Sequence, residues 1–209
     1  MIAVMNVDLV GSSQLTAAKY KSTLAALEHY LEEMKQQYNF IYSVYRGDEF
    51  QIATRHPDTA GKLLLEIKLW LASEQAGLPL QCTISLALGP GTVTGTDPGK
   101  ANGDTYILAG RTLDSLRSGQ LMINVTDKKI IALPVICHQL SYILNRLNTS
   151  QISLLYDYVK NDFPTHQYLA EKLSTSRQNI SERLRAAGAE LLPEFIAYTQ
   201  QLISEDGPV

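Results

Sequence analysis

Cysteine is nearly missing from this chain. Two residues in 209, Cys82 and Cys137, belong to no CxxC pair and to no cluster with metal-ligand spacing. That excludes a disulfide framework and a structural zinc site, and the four histidines, His29, His56, His138 and His166, are dispersed. Cys82 lies in an alternating apolar stretch and reads as a buried, inert thiol. Basic charge is not in excess either, with 18 Lys and Arg against 21 Asp and Glu and a formal net charge of -3. No overall field draws the chain to nucleic acid, so any such contact must come from a local patch or a dimeric arrangement. Long apolar runs are absent too: no segment reaches the ~18 unbroken residues of a membrane span. The opening MIAVMNVDLV lacks a basic n-region and meets Asp8 too early for a signal peptide. A cytoplasmic protein with no membrane partner is expected. There is no Gly/Ser-rich linker, repeat or low-complexity segment.

What is present is apolar content of 45%, ample for a proper core in one large domain or two modest ones. Ile2, Val4 and Val7 mark a first strand that ends at "VDLVGSS". Tyr20, Leu24, Leu27, Leu31, Met34 and Tyr38 recur at helical spacing, which predicts a helix over 14–38. Residues 40–45 and 50–54 are rich in β-branched and aromatic types and flank Arg46-Gly47-Asp48-Glu49 as the arms of a hairpin. Pro57 and Asp58 suit the start of a second helix carrying Leu63, Leu64, Ile67, Trp70 and Leu71, ended by Gly77. Residues 80–88 alternate as a half-buried strand, 89–104 form a Gly- and Pro-containing loop, 105–117 a helix and 120–125 a short strand. The order β-α-β-β-α-β-α-β implies an antiparallel or mixed sheet covered by helices. From about 138 the strands stop.

Two carboxylates stand out. Asp8 ends the first strand where a Gly-Ser-Ser turn begins, and Asp48 sits at the tip of the hairpin. The ordinary reading of Asp8 is helix capping. If the sheet sets the first strand beside the hairpin, the two carboxylates converge and can hold Mg²⁺ or Mn²⁺, ions that bridge nucleotide phosphates. The backbone N–H groups of Leu9 to Ser13, at a helix start, would cradle a phosphate.

This pair, in this order, resembles the class III nucleotidyl cyclases. Their first strand ends Asp-Ile-x-Gly-Phe-Thr, where this chain has Asp8-Leu9-Val10-Gly11-Ser12-Ser13, and their second metal Asp follows a Gly on the hairpin, as Asp48 follows Gly47. A third family segment, Trp-Gly-Asp-x-Val-Asn-x-Ala-x-Arg-Leu, is similar to Asn102 through Thr112. The resemblance implies Asp8, Asp48 and the Leu9 carbonyl as metal ligands, Gly11, Ser12 and Ser13 as a nucleotide-phosphate cradle, and Arg111 as the catalytic, transition-state arginine. A structural ion pair from Arg111 to Asp114 is the alternative for that residue. The chain departs from the pattern at Ile107, where cyclases carry a catalytic Asn, and at Val44, where they carry a purine-selecting Lys. Loss of one preorganised polar contact costs about 10²- to 10³-fold in rate, so sensing of a nucleotide competes with turnover. "RGDEF" also resembles the GGDEF signature of diguanylate cyclases, with Arg46 in place of the first Gly.

In "YLAEKLSTSRQNISERLRAAG", Leu169, Ala170 and Leu173 close one helix, and Ile180 and Leu184 mark the inner face of the next. This spacing resembles a repressor-type helix-turn-helix, with Ser174 at the usual turn glycine. Arg177, Gln178, Asn179, Ser181, Arg183 and Arg185 are then the DNA-binding candidates, being types that reach base edges and phosphates. The ordinary alternative is a solvated face on a helical hairpin.

Over essentially its whole length the chain resembles the SatD-like bacterial family. The resulting expectation is an α+β protein: a cyclase- or palm-like, ferredoxin-like mixed sheet over 1–137, followed by an all-α helix-turn-helix domain over 138–209. The leading reading is a homodimeric DNA-binding regulator whose first domain binds Mg²⁺ or Mn²⁺ with a nucleotide. A metal-dependent nucleotidyl cyclase or related triphosphate enzyme, and a non-catalytic scaffold, are the alternatives.

Overall fold

The computed structural model describes residues 1–45 and 48–204. Strand β1 (Ile2–Leu9) is buried on both faces, with Ala3, Met5, Val7 and Leu9 turned one way and Ile2 and Val4 the other. Gly11 follows at φ 76, a left-handed backbone that suits glycine, and turns the chain into a single 3₁₀ turn at Ser12–Gln14. Helix α1 (Ala17–Tyr38) therefore starts at Ala17, not 14, where the Thr16 hydroxyl accepts from the Lys19 amide.

Strands β2 (Phe40–Tyr45) and β3 (Glu49–Thr54) form the expected antiparallel pair. The hairpin residues Arg46 and Gly47 lie outside the described residues. After a turn at Pro57–Thr59, helix α2 (Ala60–Leu71) ends at Leu71 and not at Gly77, because Ser73 folds its hydroxyl back onto the Trp70 carbonyl at 2.7 Å. Strand β4 (Cys82–Gly89) pairs antiparallel with β1, and helix α3 (Asp104–Ser115) carries the chain to β5 (Leu121–Val125), which is parallel to β4. The sheet order is β2-β3-β1-β4-β5. Its first four strands with α1 and α2 make the β-α-β-β-α-β arrangement of a ferredoxin-like fold.

The two faces of the sheet are covered differently. Ala3, Met5, Val7, Ile84 and Leu86 join a core that includes α1 and α2, while Val4 and Ala87 pack against Tyr106 and Ala109 of α3. The 89–104 loop is strapped over that second face. Ser43 donates to Asp97 at 2.7 Å, Thr105 to the Pro90 carbonyl at 2.7 Å, and Tyr106 to the Thr92 carbonyl at 3.2 Å.

Five more helices complete the described chain: α4 (Ala132–Arg146), α5 (Thr149–Lys160), α6 (His166–Lys172), α7 (Arg177–Ala186) and α8 (Leu191–Gln201). Residue 138 falls in the middle of α4, which packs on β5, while α5 and α8 both pack on α2. One apolar cluster runs from Ala3 to Leu202, so sheet and helices share a core. Within it Tyr30 of α1 stacks on Trp70 of α2 with ring centroids 4.0 Å apart. Among the described residues, no helix is long and apolar enough to cross a membrane.

Candidate cation and phosphate site

The central position of β1 brings the two carboxylates to one end of the sheet. Asp8 lies opposite Glu49 in the β1–β3 register, and one step further the Leu9 amide donates to the Asp48 carbonyl at 2.8 Å. In an antiparallel pair the N–H and C=O of one residue point to the same neighbour, so the Leu9 carbonyl also faces the Asp48 side. The Ser12 hydroxyl donates to Asp48 Oδ2 at 3.3 Å and closes the glycine turn over the second carboxylate. Burial and then the charge of Asp48 hold the Asp8 carboxyl above its ordinary value. The charge of Asp48 is thus felt at Asp8.

The phosphate cradle is smaller than the sequence implies. The amides of Leu9 and Val10 are spent on the carbonyls of Asp48 and Gln81, at 2.8 and 2.9 Å. Helix α1 starts too late to lend its N-terminus, and the first turn belongs to the short Ser12–Gln14 segment. The amides of Gly11, Ser12 and Ser13 find no acceptor among the described residues and are the N–H groups left to a ligand.

A divalent cation fits what is present. Two mutually repelling carboxylates and a carbonyl are a partial oxygen set of the kind Mg²⁺ accepts, since that ion keeps waters and takes the rest of its shell from phosphates. Among the described residues no group of three or more His, Cys, Asp or Glu side chains is placed to hold a metal.

Sequence reasoning missed part of the surroundings of Asp8. Asp8, Glu49, Thr83, Asp114 and Ser118 line a cavity of about 220 Å³, with Thr83 directly across from Asp8 in the β1–β4 register. Thr83 comes from β4, Asp114 from the end of α3 and Ser118 from the loop after it, and only the sheet order brings them here. Arg111 is elsewhere. It lines a separate hollow of about 470 Å³ with Ile107, Asn124 and Lys128, and among the described residues it makes no ion pair with Asp114. Ile107, one turn before Arg111, is 42% exposed.

The second candidate surface is on α7. Helix α6 is capped by Thr165 and α7 by Ser176, and the turn between them is closed by the Thr175 amide donating to the Ala170 carbonyl at 2.9 Å. Ser174 takes φ 52, the left-handed conformation that a turn glycine ordinarily supplies. Leu169, Ala170, Ile180 and Leu184 are buried as the spacing expects, whereas Leu173 is exposed. Arg177, Gln178, Asn179 and Arg185 are exposed, and Ser181 is half-buried. Arg183 is half-buried and donates to the Ser150 hydroxyl at 3.0 Å, bracing α7 to the start of α5.

No family model matches the chain, and no curated protein matches it. Solved structures do. The guanylyl cyclase Cya2 matches at 17% identity and a TM-score of 0.45, over 58% of this chain and 73% of its own. The catalytic core of a rhodopsin-guanylyl cyclase with converted specificity, in complex with ATPαS, matches at 19% identity and 0.46, over 58% and 75%. The guanylate cyclase domain of RhGC from Catenaria anguillulae, in complex with GTP, matches at 17% and 0.44, over 58% and 76%. At these values nothing of those proteins' activity transfers to this chain. The ferredoxin-like order rests on the strand pairing itself, and the SatD-like resemblance rests on the motifs alone.

Proposed function

We propose that this chain binds a nucleoside triphosphate together with Mg²⁺ or Mn²⁺ at the Asp8–Asp48 end of the sheet, and that nucleotidyl cyclase-type phosphoryl transfer is the reaction this site serves. The observation that carries the reading is the strand pairing that sets Asp48 beside the end of β1, where the Leu9 amide donates to the Asp48 carbonyl at 2.8 Å, and the charge of Asp48 adds to burial in holding the Asp8 carboxyl above its ordinary value. A bound cation supplies the charge that draws electrons toward departing phosphates. Asp8, Asp48 and the Leu9 carbonyl hold it, and the Gly11, Ser12 and Ser13 amides orient the phosphate oxygens. Arg111 lines a different hollow from Asp8. The catalytic assignment of Arg111 requires a homodimer in which a second copy brings this arginine to the phosphates.

The test is calorimetric titration with ATP and with GTP in Mg²⁺ or Mn²⁺, on wild type and Asp48→Asn, with products separated by chromatography. Saturable binding to wild type that is lost in Asp48→Asn, with a cyclic product, is the expected result. Equal binding by both proteins overturns the site, and binding without a product overturns the reaction.

A second reading is supported by Ser174, whose left-handed backbone between α6 and α7 stands where a helix-turn-helix ordinarily carries glycine. In that reading residues 138–209 present Arg177, Gln178, Asn179, Ser181 and Arg185 to DNA, with Arg183 shared between phosphate contact and its brace. Arg177→Ala with Arg185→Ala then weakens DNA binding and reduces its salt dependence. Unchanged affinity and salt slope would remove this reading and leave the first intact.

A further inference from the structure

Helix α2 is buried along almost its whole length, and it carries Lys68 into the interior, where the residue is 4% exposed. Its ammonium donates to the Cys82 carbonyl at 3.1 Å and to the Gly119 carbonyl at 2.9 Å. An ammonium has three N–H groups, and among the described residues Lys68 has neither a third acceptor nor a carboxylate partner. A buried charge left without a counter-charge is costly, and desolvation accordingly holds this lysine below its ordinary value.

The same side chain lines a cavity of about 200 Å³. The cavity sits at the seam between sheet and helices, where α4 hands over to α5 beside the start of β4. Asn145, which donates to the same Gly119 carbonyl as Lys68, also lines it, as do Gln81 and Thr149. Leu69, Leu144 and Ile152 supply an apolar wall. A single buried cation beside such a wall has the chemistry of a receptor for one negative charge on a short carbon chain. A dianion such as phosphate would leave one charge unmatched, and the volume is below the ~300 Å³ at which pockets for drug-sized ligands begin.

We propose that this cavity binds a small aliphatic monocarboxylate, with Lys68 Nζ pairing with the carboxylate and the leucine and isoleucine wall taking the chain. The site lies on the opposite face of the sheet from Asp8 and stands independently of the nucleotide reading. It spans α2, α4 and α5, so an occupant ties the sheet to the helical part of the chain.

The experiment is calorimetric titration of the full chain with sodium butyrate, alongside n-butanol, butylammonium chloride and inorganic phosphate. Butyrate is expected to bind in the millimolar range or tighter, and the other three are not. Lys68→Met, which keeps the length of the side chain, is expected to weaken butyrate binding by about tenfold or more, the worth of a charge-assisted hydrogen bond. Ala72→Leu leaves the ammonium in place, fills the cavity from its wall and is expected to abolish binding. It carries the test if thermal melts show Lys68→Met unfolded. Absence of saturable butyrate binding to wild type, preference for phosphate, or undiminished binding in Ala72→Leu overturns the proposal.

Discussion

Asp8 is held above its ordinary carboxyl pKa of 3.8, first by burial and then by the charge of Asp48. The folded chain thus binds this proton more tightly than the unfolded chain. The stability contributed by protonated Asp8 is fully present below pH 3.8 and is lost as pH rises through the raised folded value. At pH 7 the ionised pair opposes folding, so Asp8→Asn is expected to melt above wild type in the absence of divalent cation. Mg²⁺ with nucleotide is expected to raise the wild-type Tm and to leave Asp8→Asn unchanged. Thermal melts with and without MgCl₂ and nucleotide check both, and a lower Tm for Asp8→Asn would contradict the repulsion. Asp8 draws attention in the sequence because it ends a strand beside a tight turn, and Asp48 because it sits at the tip of a hairpin. Thr83 and Asp114 do not, since nothing local to either points at Asp8. Lys68 left a fainter trace: it stands in the Leu63–Leu71 run of α2 with Leu64, Ile67, Leu69 and Leu71 close by, all of them buried.

At the scale of elements, the turn between α6 and α7 depends on a serine where glycine would be at ease. Ser174→Gly relieves the left-handed strain at some cost in unfolded-state entropy, and it is expected to stabilise the chain by up to about 1 kcal/mol. Ser176→Ala removes the hydroxyl that accepts from the Asn179 amide at 3.1 Å and is expected to cost about 1 kcal/mol. Urea titrations of both variants measure these shifts, and a destabilised Ser174→Gly would contradict the turn geometry. The buried positions of this helix pair follow from apolar spacing, which is why Ala170, Ile180 and Leu184 are readable without coordinates. The start of α1 is not readable in the same way. Its periodicity begins at Tyr20 and says nothing about the Gly11 turn or the Thr16 cap, which together move the helix away from the phosphate cradle.

Across the whole molecule, the order of elements carried the sheet: a β-α-β-β-α-β run closes most simply in the ferredoxin-like order that the strand pairing shows. Composition marks where the strands end, but not that α4 packs on β5 or that α5 and α8 pack on α2. Those contacts depend on complementary surfaces that no single segment encodes. Because one apolar cluster spans Ala3 to Leu202, sheet and helices are expected to unfold together. Trp70 fluorescence and far-UV circular dichroism should give coincident transitions. Leu155→Ala, at a fully buried position of α5, should shift both by about 2–5 kcal/mol. Two separated transitions would contradict the shared core.

The most direct measurement is Mn²⁺ binding by electron paramagnetic resonance in the presence of a non-hydrolysable triphosphate, on wild type, Asp8→Asn, Asp48→Asn and the double variant. A single site held by both carboxylates predicts one bound ion per chain in wild type, strong loss in either single variant, and a double variant no worse than the weaker single. Mn²⁺ binding that survives both substitutions would contradict the account.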